Sequence, residues 1–364
     1  MEDKWTKYLF FSHPGMGRKT KKRLLASHCE EEILAWKEED WKAHLSSREW
    51  NFYQKKKARF HIEESKKNWE LLQKKGINFV YYKDPLFPEK LKNIPDYPLG
   101  LFGKGKIPGK EKSIAIVGAR TPTAYGKEMA QYFARELSKA GVAVISGLAF
   151  GIDVAAHRGA LEGGGDTYGV LGCGVDVVYP KENFTIYEKM AREGGILSEY
   201  AIGTLPDRWR FPERNRIISG LSDGILVVEA RKRSGSLITA DCALEQGREV
   251  YALPGRVLDP LSQGTNWLLR EGAKIVTEPE HILEELFPLQ MQQMEEKDIR
   301  KSEKGLDEKE KQLYRCLDLE PKTVEELIYQ ANLPVAEGIS ALFRLELKGY
   351  AKKMSNQHYI LNVQ

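Results

Sequence analysis

Residues 113–153 read SIAIVGARTPTAYGKEMAQYFARELSKAGVAVISGLAFGID and contain a complete β-α-β pattern. The apolar run at 114–117 is typical of a strand that is covered on both faces, and Gly118 begins a polar turn. Apolar residues then recur at helical spacing from Tyr125 onward, and Gly141 is placed to end the helix before a second apolar run. The stretch therefore predicts two parallel strands joined by a helix.

Apolar runs of the same kind recur further along the chain, with amphipathic segments between them, at residues 167–171, 194–197, 224–228 and 250–253. This alternation predicts an α/β fold with a doubly wound, mostly parallel sheet. Ligands of such sheets bind beyond the carboxyl ends of the strands. The candidate functional loops are therefore GARTPT, SGLAFGID, GCGVDVVYPKEN, SEYAIG, EARKRSGS and PGR.

The composition of the 364-residue chain argues against several classes of protein. Its 41% hydrophobic content is ordinary for two or three globular domains, and no apolar run is long enough to span a membrane. The N-terminus lacks a signal-peptide pattern, so we expect a cytoplasmic protein with no membrane partner. The four cysteines are widely spaced and the seven histidines lack ligand spacing, so neither a disulfide nor a metal site is expected.

Residues 1–75 are basic and helical, with 18 Lys and Arg against 12 Asp and Glu. Within them, HPGMGRKTKKRLL at 13–25 has two glycines around a tight turn, followed by a cationic helix. This pattern is typical of a helix-hairpin-helix (SAM-like) domain, whose helix N-terminus binds phosphate. A small helical domain with a solvated basic face is the alternative. Residues 76–112 contain a strand and proline-rich loops, and we interpret them as a connector packed on the central domain, 76–287.

The last part of the chain changes character twice. A polar, charged stretch without periodicity at 288–305 predicts a linker. The final segment, 306–364, contains helical patterns at 308–317, 323–331 and 335–348 and ends in a hairpin, which together indicate a winged-helix domain. Its third helix, which would read DNA, carries as many acidic as basic residues. A protein-contact or regulatory role is therefore as consistent with this helix as DNA reading.

The glycine-rich loops do not match the common cofactor fingerprints. Gly118 is followed by Ala119 and Arg120, with no second glycine where a dinucleotide pyrophosphate would lie. No Gly-Lys-Ser/Thr sequence ends a glycine loop either, so we expect no NAD, ATP or other cofactor. The loops instead combine helix N-termini with hydroxyls and cations, which suits phosphodiester oxygens. These groups belong to Thr121, Ser146, Ser234 and Ser236, and to Arg120, Lys181, Arg208, Arg210, Arg214, Arg216, Arg231 and Arg233.

Carboxylates near the strand ends are the candidates for acid–base chemistry. They are Asp153, Asp176, Glu199 and Glu229, and His157 lies in a predicted helix. Each carboxylate stands alone beside candidate arginine partners. Salt bridges and helix caps that fix the loops explain this pattern better than catalysis does. We therefore assign no catalytic residue and do not expect an enzyme.

Six motifs of the central domain follow one another between about residues 113 and 286. They are IVGART, ISGLAFGIDVAAHRGAL, GVLGCGVDVVYPKEN, GGILSEY, FPERNRIISGLSDGILVVEARKRSGSLITADCALEQGREVYALPG and QGTNWLLREGA. In this order and spacing they resemble the DNA-processing protein A family (DprA, also called Smf). The resemblance implies an extended Rossmann-like domain that binds single-stranded DNA in a basic pocket. It also implies a homodimer that helps to load RecA recombinase onto incoming DNA during natural transformation.

The resemblance further implies roles for individual residues. Gly118, Ala119 and Arg120 match the family's phosphate-binding motif, and Lys181 is similar to a family lysine that contacts DNA. Arg208 lies at the position of a DNA-binding cation in the family. Phe211 lies at the position of an aromatic residue that contacts a base. Arg214, Asn215 and Arg216 match the RNR signature, for which pocket scaffolding is the alternative. The strand-end loops add Ser146, Gly147, Asn183, Ser234 and Ser236 as DNA-binding candidates. The expected dimer contacts are Asn266, Trp267 and Leu268.

The position of Phe211 agrees with this assignment. Single-strand binders combine cations that follow the backbone with aromatic rings that stack on bases, and Phe211 lies between arginines in a loop before a helix. This arrangement favours base stacking. A core phenylalanine is the alternative.

Two other functional classes remain as competing hypotheses. Rossmann-like enzymes of the lysine-decarboxylase-like type, which hydrolyse nucleotide N-glycosidic bonds, share the general layout. Their Gly-Gly-Thr signature is replaced here by EAR at 229–231 and SGS at 234–236. A structural DNA-compacting protein is the third hypothesis, and a preference for duplex DNA would distinguish it.

Overall fold

The computed structural model describes residues 2–57, 61–292, 305–318, 320–354 and 358–362. The chain divides into two compact units, Met1–Met291 and Gln292–Gln364. The first unit combines N-terminal helices with a large sheet, and the second is a small unit of helices and a three-stranded sheet.

Short helices form the N-terminal part of the first unit. They are α1 (Glu2–Ser12), α2 (Arg18–Leu25), α3 (Glu30–Ala35), α4 (Glu38–His44), α5 (Ser47–Lys57) and α6 (Ile62–Lys74). Their core includes the buried side chains of Phe10, Leu24, Ile33 and Trp41. Trp41 stacks on Tyr53 with 4.6 Å between ring centroids, so this tryptophan packs inside the protein.

The sheet of the first unit alternates with helices along the chain. The elements are β1 (Ile77–Tyr81), α7 (Glu89–Lys92), β2 (Gly100–Gly105), β3 (Ser113–Val117), α8 (Ala124–Lys139), β4 (Ala143–Ser146), α9 (Ile152–Glu162), β5 (Thr167–Leu171), α10 (Phe184–Glu193), β6 (Gly195–Ser198), α11 (Arg210–Leu221), β7 (Gly224–Val227), α12 (Gly235–Glu245), β8 (Glu249–Ala252), α13 (Gln263–Arg270), β9 (Lys274–Ile275) and α14 (Glu280–Leu286). Among the described residues the strand order is β1-β2-β6-β5-β4-β3-β7-β8-β9.

The seven strands β3 to β9 are all parallel to one another. The strands β1 and β2 lie at one edge of the sheet, where β2 pairs antiparallel with β6 and β1 pairs antiparallel with β2. Central strands such as β3 and β5 are buried along their whole length because helices cover both faces. Ala115 of β3, for example, lies opposite Ile145 of β4 and Ile225 of β7. The predicted α/β fold, with its doubly wound, mostly parallel sheet, is confirmed.

The segment 76–112 contributes to the sheet more than the sequence suggested. The predicted strand is β1, but a second strand, β2, pairs with β6 and joins β1 to the sheet. The sequence of β2, GLFGKG, does not predict a strand because glycine is rare in strands. A Cβ at Gly100 would lie 2.7 Å from the ring of Phe79, so glycine permits close packing here. The connector is thus an edge of the sheet.

The cations of the predicted hairpin at 13–25 contact the protein itself. Arg18 forms ion pairs with Asp96 and with Glu199, the latter at 3.2 Å. Lys21 is buried and donates a hydrogen bond to the carbonyl of Phe11, and burial lowers its pKa to about 7. Arg18 therefore fastens α2 to the segments that carry Asp96 and Glu199, and Lys21 fastens it to α1. These two cations form neither a solvated basic face nor a free phosphate-binding pair.

The ammonium of Lys22 also faces the protein and lies 3.3 Å from the ring centroid of Tyr97. Arg23 pairs with Glu49 at the surface, at 2.9 Å. Lys19 is exposed.

The second unit has the predicted winged-helix composition. Its elements are α15 (Glu308–Tyr314), β10 (Lys322–Thr323), α16 (Val324–Gln330), α17 (Val335–Leu347), β11 (Ala351–Lys353) and β12 (His358–Leu361), with strand order β10-β12-β11. Thr323 caps α16: its hydroxyl accepts from the amide of Glu326 at 3.2 Å, and its own amide donates to that carboxylate at 2.8 Å. The turn of the hairpin at 355–357, and the predicted linker except residues 288–292 and 305, lie outside the described residues.

None of the helices in the described part of the chain combines the length and the apolar character that a membrane crossing requires.

We expect Arg18→Ala to lower the free energy of unfolding by about 1.5–3 kcal/mol, because it removes charge-assisted hydrogen bonds to two partly buried carboxylates. Arg23→Ala is the matched control, since it removes a more exposed ion pair and should cost less than about 1 kcal/mol. Urea unfolding followed by circular dichroism measures both losses. Equal losses would contradict a fastening role for Arg18.

Candidate functional site

A cavity opens at the carboxyl edge of the sheet, at the point where the strand order reverses. From β3 the chain proceeds to β4 on one side, whereas β7 pairs with β3 on the other side. The loops that follow β3 and β7 therefore diverge, and such a point is the usual ligand site of a doubly wound sheet. A cavity of about 810 Å³ opens there, between these loops and the first turns of α11 and α12.

The loop after β3 lies close to its neighbours. A Cβ at Gly118 would stand 2.7 Å from a side-chain carbon of Ile152 and 2.9 Å from the carbonyl oxygen of Glu229, so only glycine fits. The amide of Ala119 donates to that same carbonyl at 2.8 Å. These contacts fix the turn and leave Arg120 exposed on the wall of the cavity.

Glu229 at the end of β7 holds the start of α8. Its buried carboxylate accepts from the amide of Thr123 at 2.9 Å and from the Thr123 hydroxyl. The Thr123 hydroxyl oxygen in turn accepts from the amide of Gly126 and caps the helix. This carboxylate thus has the loop-fixing role that the sequence favoured.

The loop after β4 is held by a buried carboxylate. Asp153 accepts from the amides of Gly147 and Ala149 at 3.1 and 3.3 Å, and burial raises its pKa. A Cβ at Gly147 would lie 2.5 Å from the Arg214 guanidinium, which explains the glycine. Ser146 is fully buried, and its hydroxyl donates to the carbonyl of Ile116 at 2.7 Å. Ser146 therefore supports the loop and does not line the large cavity.

The RNR sequence of α11 is built into the protein. Arg214 is 4% exposed and donates to the carbonyls of Gly147, at 2.7 Å, and Val170. Burial lowers its pKa to about 10, so the guanidinium stays charged at neutral pH. Asn215 donates to the carbonyl of Gly235 at 3.2 Å and joins α11 to the start of α12. These contacts are those of pocket scaffolding.

Arg216 points away from the cavity. It forms ion pairs with Glu199 and Asp96, the same two carboxylates that hold Arg18. Burial lowers the pKa of Arg216, and the charge of Glu199 opposes this shift. The cluster attaches the back of α11 to the N-terminal helices.

Phe211, in the first turn of α11, is half-buried and lines the cavity. The guanidinium of Arg120 lies 5.1 Å from its ring centroid, and the ring of Tyr179 lies 5.7 Å from it. Phe211 is therefore neither a core residue nor fully exposed. Tyr179 also lines the cavity and is a candidate aromatic contact that the sequence analysis did not select, although it belongs to the YPKEN loop.

The opposite wall is formed by the start of α12. Ser234 caps this helix and its hydroxyl lies 2.7 Å from that of Ser236. Both serines line the cavity together with the exposed Arg231 and Arg233. The amides and hydroxyls of a helix N-terminus, with two nearby cations, favour an anion.

Two further candidates lie beside the large cavity. Lys181 and Asn183 belong to a short 3-10 turn, Lys181–Asn183, which does not line it. Lys181 is exposed, whereas Asn183 is buried and donates to the carbonyl of Leu148 at 2.9 Å. Phe184, which follows this turn, is 57% exposed and is a second aromatic that the sequence analysis missed.

Seven of the eight candidate cations fall into two groups, and the eighth, Arg210, is partly buried and donates to the carbonyl of Leu205. Arg214 and Arg216 are buried and hydrogen-bonded to the protein. The exposed cations make no ion pair with any residue that the structure describes, and they are Arg120, Lys181, Arg208, Arg231 and Arg233. Four of these five line the cavity, so its walls are strongly positive.

The expected dimer contacts have different environments. Trp267 is 40% exposed on α13, but Leu268 is 3% exposed and belongs to the core beneath the sheet. The side chain of Asn266 is hydrogen-bonded to the backbone of Gly255. Leu268 therefore cannot contact a partner directly, because helical geometry turns it inward when Trp267 points outward.

The fold and the site define a class: doubly wound α/β proteins with a positive strand-end cavity that contains an aromatic ring. In the described ranges of the chain, no group of three His, Cys, Asp or Glu side chains is placed to hold a metal. A family model described as DNA recombination-mediator protein A matches residues 78–287, and one for the DprA winged helix domain matches residues 299–357. The chain therefore belongs to the DprA family.

Individual relatives agree with this assignment. The DNA processing protein DprA of Bacillus subtilis is 44% identical over 216 residues, which are 59% of this chain and 73% of that protein. Protein Smf of Escherichia coli is 44% identical over 217 residues, and the chain spans only 58% of its length.

Solved structures of the family have the same fold. DprA from Streptococcus pneumoniae superposes with a TM-score of 0.69 at 33% identity, over 77% of this chain and 98% of that one. DprA from Helicobacter pylori superposes with a TM-score of 0.52 at 31% identity, over 58% and 96%. The latter structure is described as showing a single-stranded DNA binding mode.

Proposed function

We propose that this protein binds single-stranded DNA in the strand-end cavity. The observation that carries the proposal is the group of exposed cations around a half-buried aromatic ring, which form no ion pair with the described part of the chain. Proteins that bind single strands combine a positive groove for the backbone with rings for the bases. The family membership and the binding mode described for the Helicobacter pylori relative support it.

In this proposal the cations of the site bind the DNA backbone and the aromatic ring binds a base. Arg120 and Arg208 contact phosphates from the loop after β3 and the approach to α11, and Lys181 continues this path outside the cavity. Phe211 provides a face for a base, and Arg214 holds α11 so that the ring faces the cavity. Since neither contact type reads base edges, binding depends little on sequence.

The biological role extends from this binding. The protein protects incoming single strands in the cytoplasm and helps to load RecA recombinase onto them during natural transformation, and it acts as a homodimer. The support is family membership together with the exposed Trp267. No step of this role requires the chain to be an enzyme.

Fluorescence anisotropy with a labelled single strand and a duplex of equal length tests the binding proposal. Tighter binding of the single strand is expected. Equal or tighter binding of the duplex would indicate the DNA-compacting alternative. Release of free base from nucleoside monophosphates would instead support the N-glycosidase hypothesis.

We expect Arg120→Ala, Arg208→Ala and Lys181→Ala each to weaken single-strand binding for every sequence. Each should also flatten the dependence of log affinity on log salt by roughly 0.7, the contribution of one lost phosphate contact. Lys139→Ala is the control, because this lysine pairs with Glu136 at the far end of α8. A normal affinity and slope for Arg120→Ala would remove the phosphate site.

Phe211→Ala should weaken binding by about 1–3 kcal/mol, the size of one base–aromatic stack, and leave the salt slope almost unchanged. Titrations at several salt concentrations, with a melting curve of the same variant, measure both effects. If Phe211 served only packing, the variant would melt several degrees lower while the folded fraction bound DNA normally.

Trp267→Glu should produce monomers, because a charge replaces the apolar side chain that faces the partner. These monomers should still bind single strands, less tightly since the second site is lost. Sedimentation velocity gives the mass and anisotropy gives the affinity. A dimer that survives the substitution would move the interface elsewhere, and a monomeric wild-type protein would refute the dimer.

A further inference from the structure

The first turn of α12, on one wall of the strand-end cavity, has hydrogen-bond donors that the protein does not use. The amides of Ser234 and Gly235 donate to no acceptor in the described part of the chain. A Cβ at Gly235 would meet no atom within 4 Å, so the backbone there is open to the cavity that this residue lines. The hydroxyls of Ser234 and Ser236 bond to each other, which uses one of their two hydrogens, and no described oxygen accepts the other.

Thr239, one turn further along α12, is an independent sign of a ligand. This residue is 2% exposed and lines the cavity, yet its hydroxyl has no hydrogen-bond partner among the residues that the structure describes. Thr239 lies on the same face of the helix as Gly235, and a helical side chain leans toward the preceding turn. Its hydroxyl is therefore directed toward the unused amides. A buried hydroxyl without a partner costs free energy, which a ligand in the cavity would recover.

The floor of the cavity is closed. Val117 and Ile218 line its deep part and, like Thr239, are buried in the protein. A strand that passed through the cavity would need an exit beyond these residues, whereas the end of a strand or a single nucleotide needs none. The volume of about 810 Å³ lies within the range of roughly 300–1,000 Å³ that is typical of pockets for small ligands.

The charges around α12 favour an anion with more than one negative charge. Arg231 and Arg233 are exposed beside its first turn, and the helix N-terminus adds partial positive charge. Among the described lining residues, Asp153 is the one carboxylate. A phosphate monoester carries about −1.5 to −2 charges at pH 7 and three acceptor oxygens, which is more than a diester within a strand carries. The cations and unused donors therefore suit a monoester better than a diester.

We propose that the first turn of α12, with Thr239, binds the phosphate monoester of a nucleotide. The monoester belongs to the phosphorylated end of a single strand or to a free mononucleotide. The inference rests on the proposed function, because Phe211 and Arg120 across the cavity then bind the base and the next phosphate of the same strand. The strand leaves through the mouth of the cavity, so the protein holds it by an end.

Fluorescence anisotropy of the full chain tests the proposal with three strands of one sequence, about ten nucleotides long and labelled internally. One strand has a 5′-phosphate, one has a 3′-phosphate, and one has hydroxyls at both ends. One of the two phosphorylated strands should bind about tenfold tighter than the hydroxyl strand, since a monoester gains charge-assisted hydrogen bonds. Equal affinities for all three strands would overturn the proposal. An equal gain at both ends would reflect general charge attraction and would also overturn it.

Thr239→Val keeps the shape of the side chain and removes its hydroxyl. The preference for the phosphorylated strand should fall by about threefold to tenfold, while the affinity for the hydroxyl strand and the melting temperature are maintained. Thr167→Val is the matched control, because this buried hydroxyl donates to the carbonyl of Val144 at 2.9 Å at the other end of the sheet. The control should melt at a lower temperature and keep the preference. An unchanged preference in Thr239→Val would contradict the assignment.

Competition against the preferred strand identifies the source of the monoester. Displacement by a thymidine monophosphate, but not by thymidine at the same concentration, would show that a free nucleotide also occupies the site. A phosphorylated strand that no mononucleotide displaces would restrict the site to strand ends. Displacement by inorganic phosphate as effective as that by the mononucleotide would overturn the nucleotide assignment. A protein that binds none of the three strands would refute the proposed function itself, whereas equal binding of all three would refute this inference alone.

Discussion

A charged guanidinium in the interior, that of Arg214, holds the site together. It is 4% exposed, and its hydrogen bonds reach backbone carbonyls at the ends of two strands, β4 and β5. The attraction of Asp153 offsets part of the desolvation, and Asp153 itself fixes the loop after β4 through two amides. Any movement of α11 would leave a buried charge uncompensated, so the helix that carries Phe211 has one position.

The other side of α11 is fixed by a second charged cluster. Arg216 and Arg18 share Glu199 and Asp96, so one set of carboxylates joins the N-terminal helices, the segment before β2 and the helix behind the cavity. In the sequence, the cations at 18–23 suggest a nucleic-acid site on α2. In the structure, Arg18 instead helps to hold α11 in place behind the strand-end cavity.

Features that depend on the periodicity of apolar residues could be predicted from the sequence. Features that depend on contacts with residues distant in the sequence were missed. The buried strands such as β3 follow from unbroken apolar runs, and the loops at their carboxyl ends follow from topology. The strand β2 was missed since packing against Phe79, not propensity, selects its glycines. The resemblance implied a dimer contact for Leu268, but this side chain is 3% exposed, and the sequence does not show which residue of the run Trp267–Leu268–Leu269 faces inward. Arg18 and Arg120 look alike in the sequence; only the fold brings carboxylates to the first and leaves the second unpaired among the described residues.

The exposed cations of the cavity lower the free energy of unfolding when no ligand is bound. Four exposed arginines and the buried Arg214 line one cavity, and Asp153 is the one carboxylate among its described lining residues, so the arginines repel one another and this repulsion lowers the stability of the unliganded fold. A polyanion relieves the repulsion, and by linkage the same relief that tightens binding also protects the fold. Affinity for a polyanion and thermal stability of the unliganded fold therefore depend on the same cavity charges, with opposite sign.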